Sequence, residues 1–297
     1  MKKLIVLFLL FSNYAIAQTA TPRQSFFPKG TALYGDINYA GDTLKNHLLD
    51  IYLPPVVKSK YPLIVWIHGG GWRMNDKYAD MGYMTETLKG FIDKGYAVAS
   101  INYRWSTQAA FPAQIQDCNQ ALEFLYQNAS KYKLDKDKIA LIGFSAGGHL
   151  ASLMGLSGND NVAAFYPAGK KSHFKIKLVL DFYGPSDFLS LAGPDQKDAQ
   201  HAISLLLGAS VFDRPDLGKI ASPVTYIDKN DPPFLIVQGE KDEAVNPLQS
   251  ISLSLHLKLA GVKNEFIIVP NAPHFGVMFD AEDIRNKVFA WLDEYLK

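Results

Sequence analysis

Short, predominantly apolar runs recur at 63–67, 96–101, 139–142, 176–182, 234–238 and 265–269, and the stretches between them carry apolar positions three and four apart. A run apolar at every position suits a strand covered on both faces, whereas the three-four spacing suits an amphipathic helix. The helical stretches are 81–94, 112–132 with Pro112 in its first turn, 149–154, 248–259 and 281–296. Two further strand-like runs, 33–39 and 48–53, flank Gly41 and Asp42 and predict an antiparallel pair at one sheet edge. Strand and helix alternate, which predicts an α/β fold: a mostly parallel central sheet with helices on both faces and ligands bound beyond the carboxyl ends of the strands. Region 184–230 breaks the alternation, holds one apolar helical run near 202–207, and is the candidate for a small cap.

The first 17 residues follow a different pattern. Lys2 and Lys3 precede an apolar core that is too short to span a bilayer, and Ala15-Ile16-Ala17 closes it before Gln18. This is the pattern of a secretory signal peptide cleaved after Ala17, and it predicts a secreted or periplasmic protein with no stable membrane anchor. Residues 18–30, polar with Pro22 and Pro28, are expected to be a flexible lead-in, and 31–297 to form one domain. The formal charge of +1 becomes −1 once Lys2 and Lys3 are removed. A near-neutral chain lacks the basic field that phosphate-backbone binding requires, so nucleic acid is not an expected partner. The single cysteine, Cys118, shares a helical face with Ile115, Leu122 and Leu125 and reads as a buried small hydrophobe without a disulfide partner.

The chemistry concentrates around Gly143-Phe144-Ser145-Ala146-Gly147, which sits between the strand at 139–142 and a helix. In a strand–turn–helix of this kind the serine occupies a strained tip, and its neighbours must be small because strand and helix nearly collide. A serine hydroxyl needs a base, and the base needs an orienting acid. Of seven histidines, His47 lies at the far edge, His149 packs one turn past the serine, His173 is in a polar loop, His201 and His256 fit helices, and His68 belongs to a glycine loop that it is suited to hold. His274, directly after the last strand, is left as the base. The acid is expected at an earlier strand end, where Gly239-Glu240-Lys241-Asp242-Glu243 follows 234–238. Asp242 is the first choice, with Glu240, Glu243 and the more distant Asp187 as alternatives. Upstream, the strand at 63–67 empties into His68-Gly69-Gly70-Gly71-Trp72. The N–H groups of Gly70 and Gly71, with that of Ala146 after the serine, are the candidate oxyanion donors. Trp72, Tyr103 and Trp105 are candidate aromatic contacts for a sugar or phenolic group.

Taken with Asn102-Tyr103-Arg104, the run Phe111-Pro112-Ala113-Gln114-Ile115-Gln116-Asp117, Gly148-His149-Leu150-Ala151, and Asp181-Phe182-Tyr183-Gly184-Pro185-Ser186-Asp187, these motifs resemble the α/β-hydrolase-fold esterases with an HGGG oxyanion motif related to hormone-sensitive lipase. Within that group the sequence is most similar to bacterial carbohydrate esterases, including feruloyl and acetyl xylan esterases. The resemblance covers about residues 33–297. It implies the α/β-hydrolase fold, a Ser145–His274–Asp242 triad, no metal, no organic cofactor, and a small-molecule or oligosaccharide ester as substrate. Stretches 159–172 and 191–219 match no family pattern, which leaves acyl and alcohol preference open. Amide hydrolysis on the same triad, and a non-catalytic binding module on the same fold, remain as alternatives.

Overall fold

The computed structural model describes residues 25–160, 162–169, 172–191 and 201–297. The signal-like stretch and most of the lead-in therefore lie outside the described residues. From residue 25 onward the expected flexible lead-in is corrected: Phe27 is buried and stacks on Tyr52 with ring centroids 3.9 Å apart.

Among the described residues eight strands form one sheet: β1 (Ala32–Asn38), β2 (Leu48–Leu53), β3 (Tyr61–Ile67), β4 (Ala97–Ile101), β5 (Leu134–Phe144), β6 (Ile176–Phe182), β7 (Phe234–Gly239) and β8 (Asn264–Val269). Their spatial order is β1-β2-β4-β3-β5-β6-β7-β8. The β1–β2 and β2–β4 pairings are antiparallel, and each of the pairings β4–β3, β3–β5, β5–β6, β6–β7 and β7–β8 is parallel. The predicted edge pair is thus present. The helices are α1 (Thr85–Asp93), α2 (Ala113–Gln127), α3 (Ala146–Ser157), α4 (Ala202–Leu207), α5 (Pro215–Ala221), α6 (Leu248–Leu259) and α7 (Glu282–Leu296).

Because side chains alternate faces along a strand, the continuous apolar strands feed two separate cores. Leu63, Val65 and Ile67 pack with Ile115, Leu122, Leu150 and Leu253, so α2, α3 and α6 cover one face. Ile64 and Trp66 pack with Leu88, Phe91, Val288 and Leu292, so α1 and α7 cover the other. Cys118 is fully buried in the first core, as its helical position predicts.

Three boundaries differ from the patterning. The stretch 81–94 splits into a 3-10 turn at Met81–Tyr83 and α1, because Met84 between them leaves the helical region (φ −113°, ψ 32°). The stretch 112–132 ends at Gln127, where the Asn128 side chain caps the Phe124 carbonyl at 2.9 Å. β5 starts at Leu134, earlier than its apolar core, because Tyr61 and Pro62 pair with Leu134 and Asp135 ahead of a register shift. In region 184–230 the described cap-like elements are the short helices α4 and α5, with Ala202 reaching the main cavity.

Candidate active site

Four loops meet beyond the carboxyl ends of β3, β5, β7 and β8. Ser145 stands at the junction of β5 and α3 with φ 52° and ψ −115°, a conformation that costs about 1–3 kcal/mol for a non-glycine residue. The turn is over-determined. Ser145 N–H donates to the Phe182 carbonyl at 2.9 Å, and the Ser145 carbonyl accepts from His149 N–H at 2.9 Å. Gly147 is required sterically, since a Cβ there would lie 2.0 Å from the Ile67 carbonyl oxygen.

The His274 loop is carried to the serine by backbone pairing with the Asp242 loop. Glu240 N–H donates to the Val269 carbonyl at 3.0 Å and Lys241 N–H to the Ala272 carbonyl at 2.9 Å. His274 Nε2 then lies 2.8 Å from Ser145 Oγ, and His274 Nδ1 lies 2.7 Å from Asp242 Oδ2. With Nδ1–H donating to the carboxylate, Nε2 is free to accept the serine proton. Asp242 is buried and takes three further donors: Gln238 Nε2 at 2.7 Å, Ala244 N–H at 2.9 Å and Val245 N–H at 2.8 Å. That cage fixes the orientation of the carboxylate. Two of the alternatives have other work. Glu240 accepts Asn271 N–H at 2.8 Å at the back of the histidine loop, and Asp187 caps its own turn at Leu189 N–H, 3.0 Å away.

The glycine loop is anchored on its carbonyl side. The Gly69 carbonyl accepts from His68 Nδ1–H at 2.7 Å, and the Gly70 carbonyl accepts from Arg73 and Met74 N–H at 3.1 and 3.2 Å. In a trans peptide the N–H points opposite to the carbonyl, so the Gly70 and Gly71 donors face away from these anchors, on the cavity side that both residues line. Gly70 adopts φ +119°, and a Cβ there would meet the Met74 carbonyl oxygen at 2.4 Å. The Ala146 N–H, at the first position of α3, has no acceptor within its own helix.

His68 is fully buried, stacked on Tyr103 at 4.3 Å, and burial pushes its pKa down to about 4. It acts as a neutral strut. His149 is likewise held down to about 4 by burial; it accepts Trp72 Nε1–H at 3.2 Å and donates to the Ala221 carbonyl at 2.8 Å.

These contacts correct the aromatic expectation. Trp72 and Tyr103 are buried in the core beneath the loop and do not line the catalytic cavity. Tyr103 instead donates its hydroxyl to the His68 carbonyl at 2.8 Å. Trp105 is partly exposed but lines a neighbouring groove.

The cavity, about 610 Å³, holds a group the patterning did not reveal. Asp80 Oδ2 accepts Gly69 N–H at 2.8 Å, its Oδ1 accepts the Tyr83 hydroxyl, and Tyr83 meets the Tyr183 hydroxyl at 3.1 Å. Tyr183 packs edge-on against His274 at 4.9 Å. Burial raises the Asp80 pKa, opposed by the Gly69 N–H, Tyr83 and the nearby imidazole. The His68–Gly69 peptide is thus clamped at its oxygen by Tyr103 and at its nitrogen by Asp80. Among the described residues no cluster of three or more His, Cys, Asp or Glu side chains is spaced to hold a metal ion.

The BD-FAE family model matches residues 49–257, from β2 through most of α6. The chain belongs to the BD-FAE family. Among curated relatives, esterase LipQ of Mycobacterium tuberculosis is 32% identical over 86% of this chain, and the probable carboxylic ester hydrolase LipM of the same organism is 34% identical over 72%. The chain spans 59% and 49% of those two proteins. A solved structure described as a truncated form of a carbohydrate esterase from gut microbiota is 32% identical with a TM-score of 0.79, covering 89% of this chain and 96% of that one. A bifunctional GH43-CE of Bacteroides eggerthii matches with TM-score 0.80 and 35% identity, this chain aligning over 89% of its length with 35% of that protein. This BD-FAE chain therefore has the α/β-hydrolase fold.

Proposed function

We propose that this BD-FAE protein is an exported serine carboxylic-ester hydrolase that works through an acyl-enzyme, with acetyl or feruloyl esters of carbohydrates as substrates. The observation that carries the activity is the continuous relay from Ser145 Oγ through His274 to the caged Asp242, at 2.8 and 2.7 Å. Ser145 Oγ attacks the acyl carbon while His274 Nε2 takes its proton, and Asp242 holds the resulting imidazolium. The oxyanion forms against the Gly70, Gly71 and Ala146 N–H groups, each such donor being worth roughly 2.7–4 kcal/mol to the transition state. His274 returns the proton to the departing alcohol oxygen, leaving the acyl group on Ser145. A water enters, gives its proton to His274, attacks the acyl carbon, and frees the acid as the proton returns to Ser145 Oγ.

The carbohydrate part of the reading is supported by the relatives described as carbohydrate esterase and GH43-CE. Export is supported by the basic, apolar and A-x-A pattern of residues 1–17. Tyr83, Tyr183 and Phe275 on the cavity wall suit a planar phenolic acyl group as well as acetyl. The test is a panel of acetylated and feruloylated xylo-oligosaccharides, p-nitrophenyl acetate and peptide anilides. The carbohydrate esters are expected to give the highest kcat/KM, and faster cleavage of the anilides than of any ester would replace the ester reading with amide hydrolysis.

A further inference from the structure

Beside the catalytic cavity lies a second groove, of about 520 Å³, whose lining includes Trp105, Lys45, Asn46, Asp76 and Tyr78. Asn75 lines both and forms the partition between them. The volume falls within the roughly 300–1,000 Å³ of small-ligand sites.

Trp105 is the feature that makes this groove more than a dip in the surface. It belongs to neither apolar core and is partly exposed, yet its ring is fixed. Its Nε1–H donates to the Asn75 carbonyl at 3.1 Å, its N–H donates to Gln108 Oε1 at 2.8 Å, and its carbonyl accepts Gln108 and Ala109 N–H at 2.8 and 3.1 Å. The next residue ties the loop to the glycine loop, Ser106 N–H donating to the Trp72 carbonyl at 2.7 Å. The ring's rotamer entropy is lost on folding, so a ligand that stacks on it does not lose it again. Beside the ring, Asp76 uses one carboxylate oxygen on Tyr78 N–H at 3.0 Å, which leaves acceptor capacity on the other. Lys45 adds an ammonium donor and Asn75 an amide.

A fixed aromatic face flanked by a carboxylate, an ammonium and an amide matches one ligand chemistry well: a pyranose, with C–H groups on its face and hydroxyls around its edge that both donate and accept. We propose that this groove is a subsite for the sugar portion of a carbohydrate ester, with Trp105 beneath the ring and Asp76 and Lys45 on its hydroxyls. The scissile ester then lies on the Ser145 side of Asn75 and the glycan on the Trp105 side. The proposal rests on the carbohydrate-ester reading above for its choice of sugar.

Two readouts test it. Isothermal titration of the full chain with unesterified xylotetraose measures the groove without any chemistry, and kcat/KM on acetylated xylo-oligosaccharide relative to p-nitrophenyl acetate measures its use in turnover. Trp105→Ala should weaken xylotetraose binding by about ten-fold or more and lower the oligosaccharide-to-small-ester ratio by a similar factor. Because that substitution also removes the tie to Asn75, Asp76→Asn serves as the second variant: it can still accept Tyr78 N–H but lacks the charge, and should move both readouts in the same direction. Absence of xylotetraose binding by the unsubstituted protein, or equal losses on both substrates in both variants, overturns the subsite even where acetylated oligosaccharides are cleaved. Xylotetraose binding that depends on Trp105, in a protein that leaves acetylated oligosaccharides uncut, supports the subsite and overturns the substrate reading instead.

Discussion

Asp80→Ala isolates the clamp on the glycine loop proposed to hold the oxyanion. The substitution removes the acceptor that holds Gly69 N–H at 2.8 Å and the partner of the Tyr83 hydroxyl. A hydrogen bond to a charged group is worth about 1.5–3 kcal/mol, or roughly 10- to 150-fold in rate if all of it is expressed in the transition state. Tyr103 still grips the other end of the same peptide at 2.8 Å, so the lower part of that range is expected: a fall in kcat of about 10- to 30-fold with little change in KM. Alanine is also poorly suited to φ 69°, so a modest loss of thermal stability should accompany it. Asp80→Asn separates the effects, since asparagine tolerates the left-handed region and can still accept Gly69 N–H; it should keep most of the lost kcat. The assay is steady-state hydrolysis of p-nitrophenyl acetate beside a thermal melt. Unchanged kcat in Asp80→Ala, or an Asp80→Asn variant as slow as the alanine, would refute the clamp.

Two more predictions test the supports around the site. Asp181 is fully buried, accepting Ser152 Oγ–H at 2.6 Å and Gly184 N–H at 2.9 Å, and burial raises its pKa to about 6. A carboxyl whose folded pKa exceeds its unfolded value favours the fold when protonated, so the contribution of Asp181 to stability should decline as pH rises from about 4 through about 6, by up to about 3 kcal/mol. Asp181→Asn should lack that decline, and a Tm difference between the two proteins that stays constant from pH 4 to pH 8 would count against the assignment. Trp72→Phe removes the Nε1–H donor to buried His149 and should cost about 1–3 kcal/mol of stability while leaving KM for ester substrates unmoved; a raised KM without loss of stability would return Trp72 to the substrate wall.

The parts of this protein that could be read from its sequence are those in which local chemistry and position in the α/β alternation coincide. Ser145, His274 and Asp242 each follow an apolar strand, and a parallel sheet brings such ends together whatever the intervening loops do. The glycine loop was legible for the same reason. What escaped the patterning depends on contacts made only after folding. Trp72 looks like an exposed aromatic after a glycine run, but a positive φ of 57° helps turn it inward to an imidazole four residues beyond the serine. Asp80 sits in a polar connection with no periodic or motif signature, and only the fold sets it against Gly69. Tyr183 carries a faint signal, as the first residue beyond β6, but its edge-on contact with His274 arises from loops remote in sequence. Phe27 reads as part of a flexible lead-in because its polar, proline-containing neighbours hide a single aromatic anchor.

The central claim is that Ser145 is acylated during turnover, and mass spectrometry after a fluorophosphonate probe tests it most directly. The account predicts a single stoichiometric adduct on the peptide containing Ser145, formed in step with loss of p-nitrophenyl acetate hydrolysis, and absent from folded Ser145→Ala and strongly slowed in His274→Ala. Full inhibition with the adduct on another residue, or a folded Ser145→Ala protein that still turns over the ester at the wild-type rate, would contradict it.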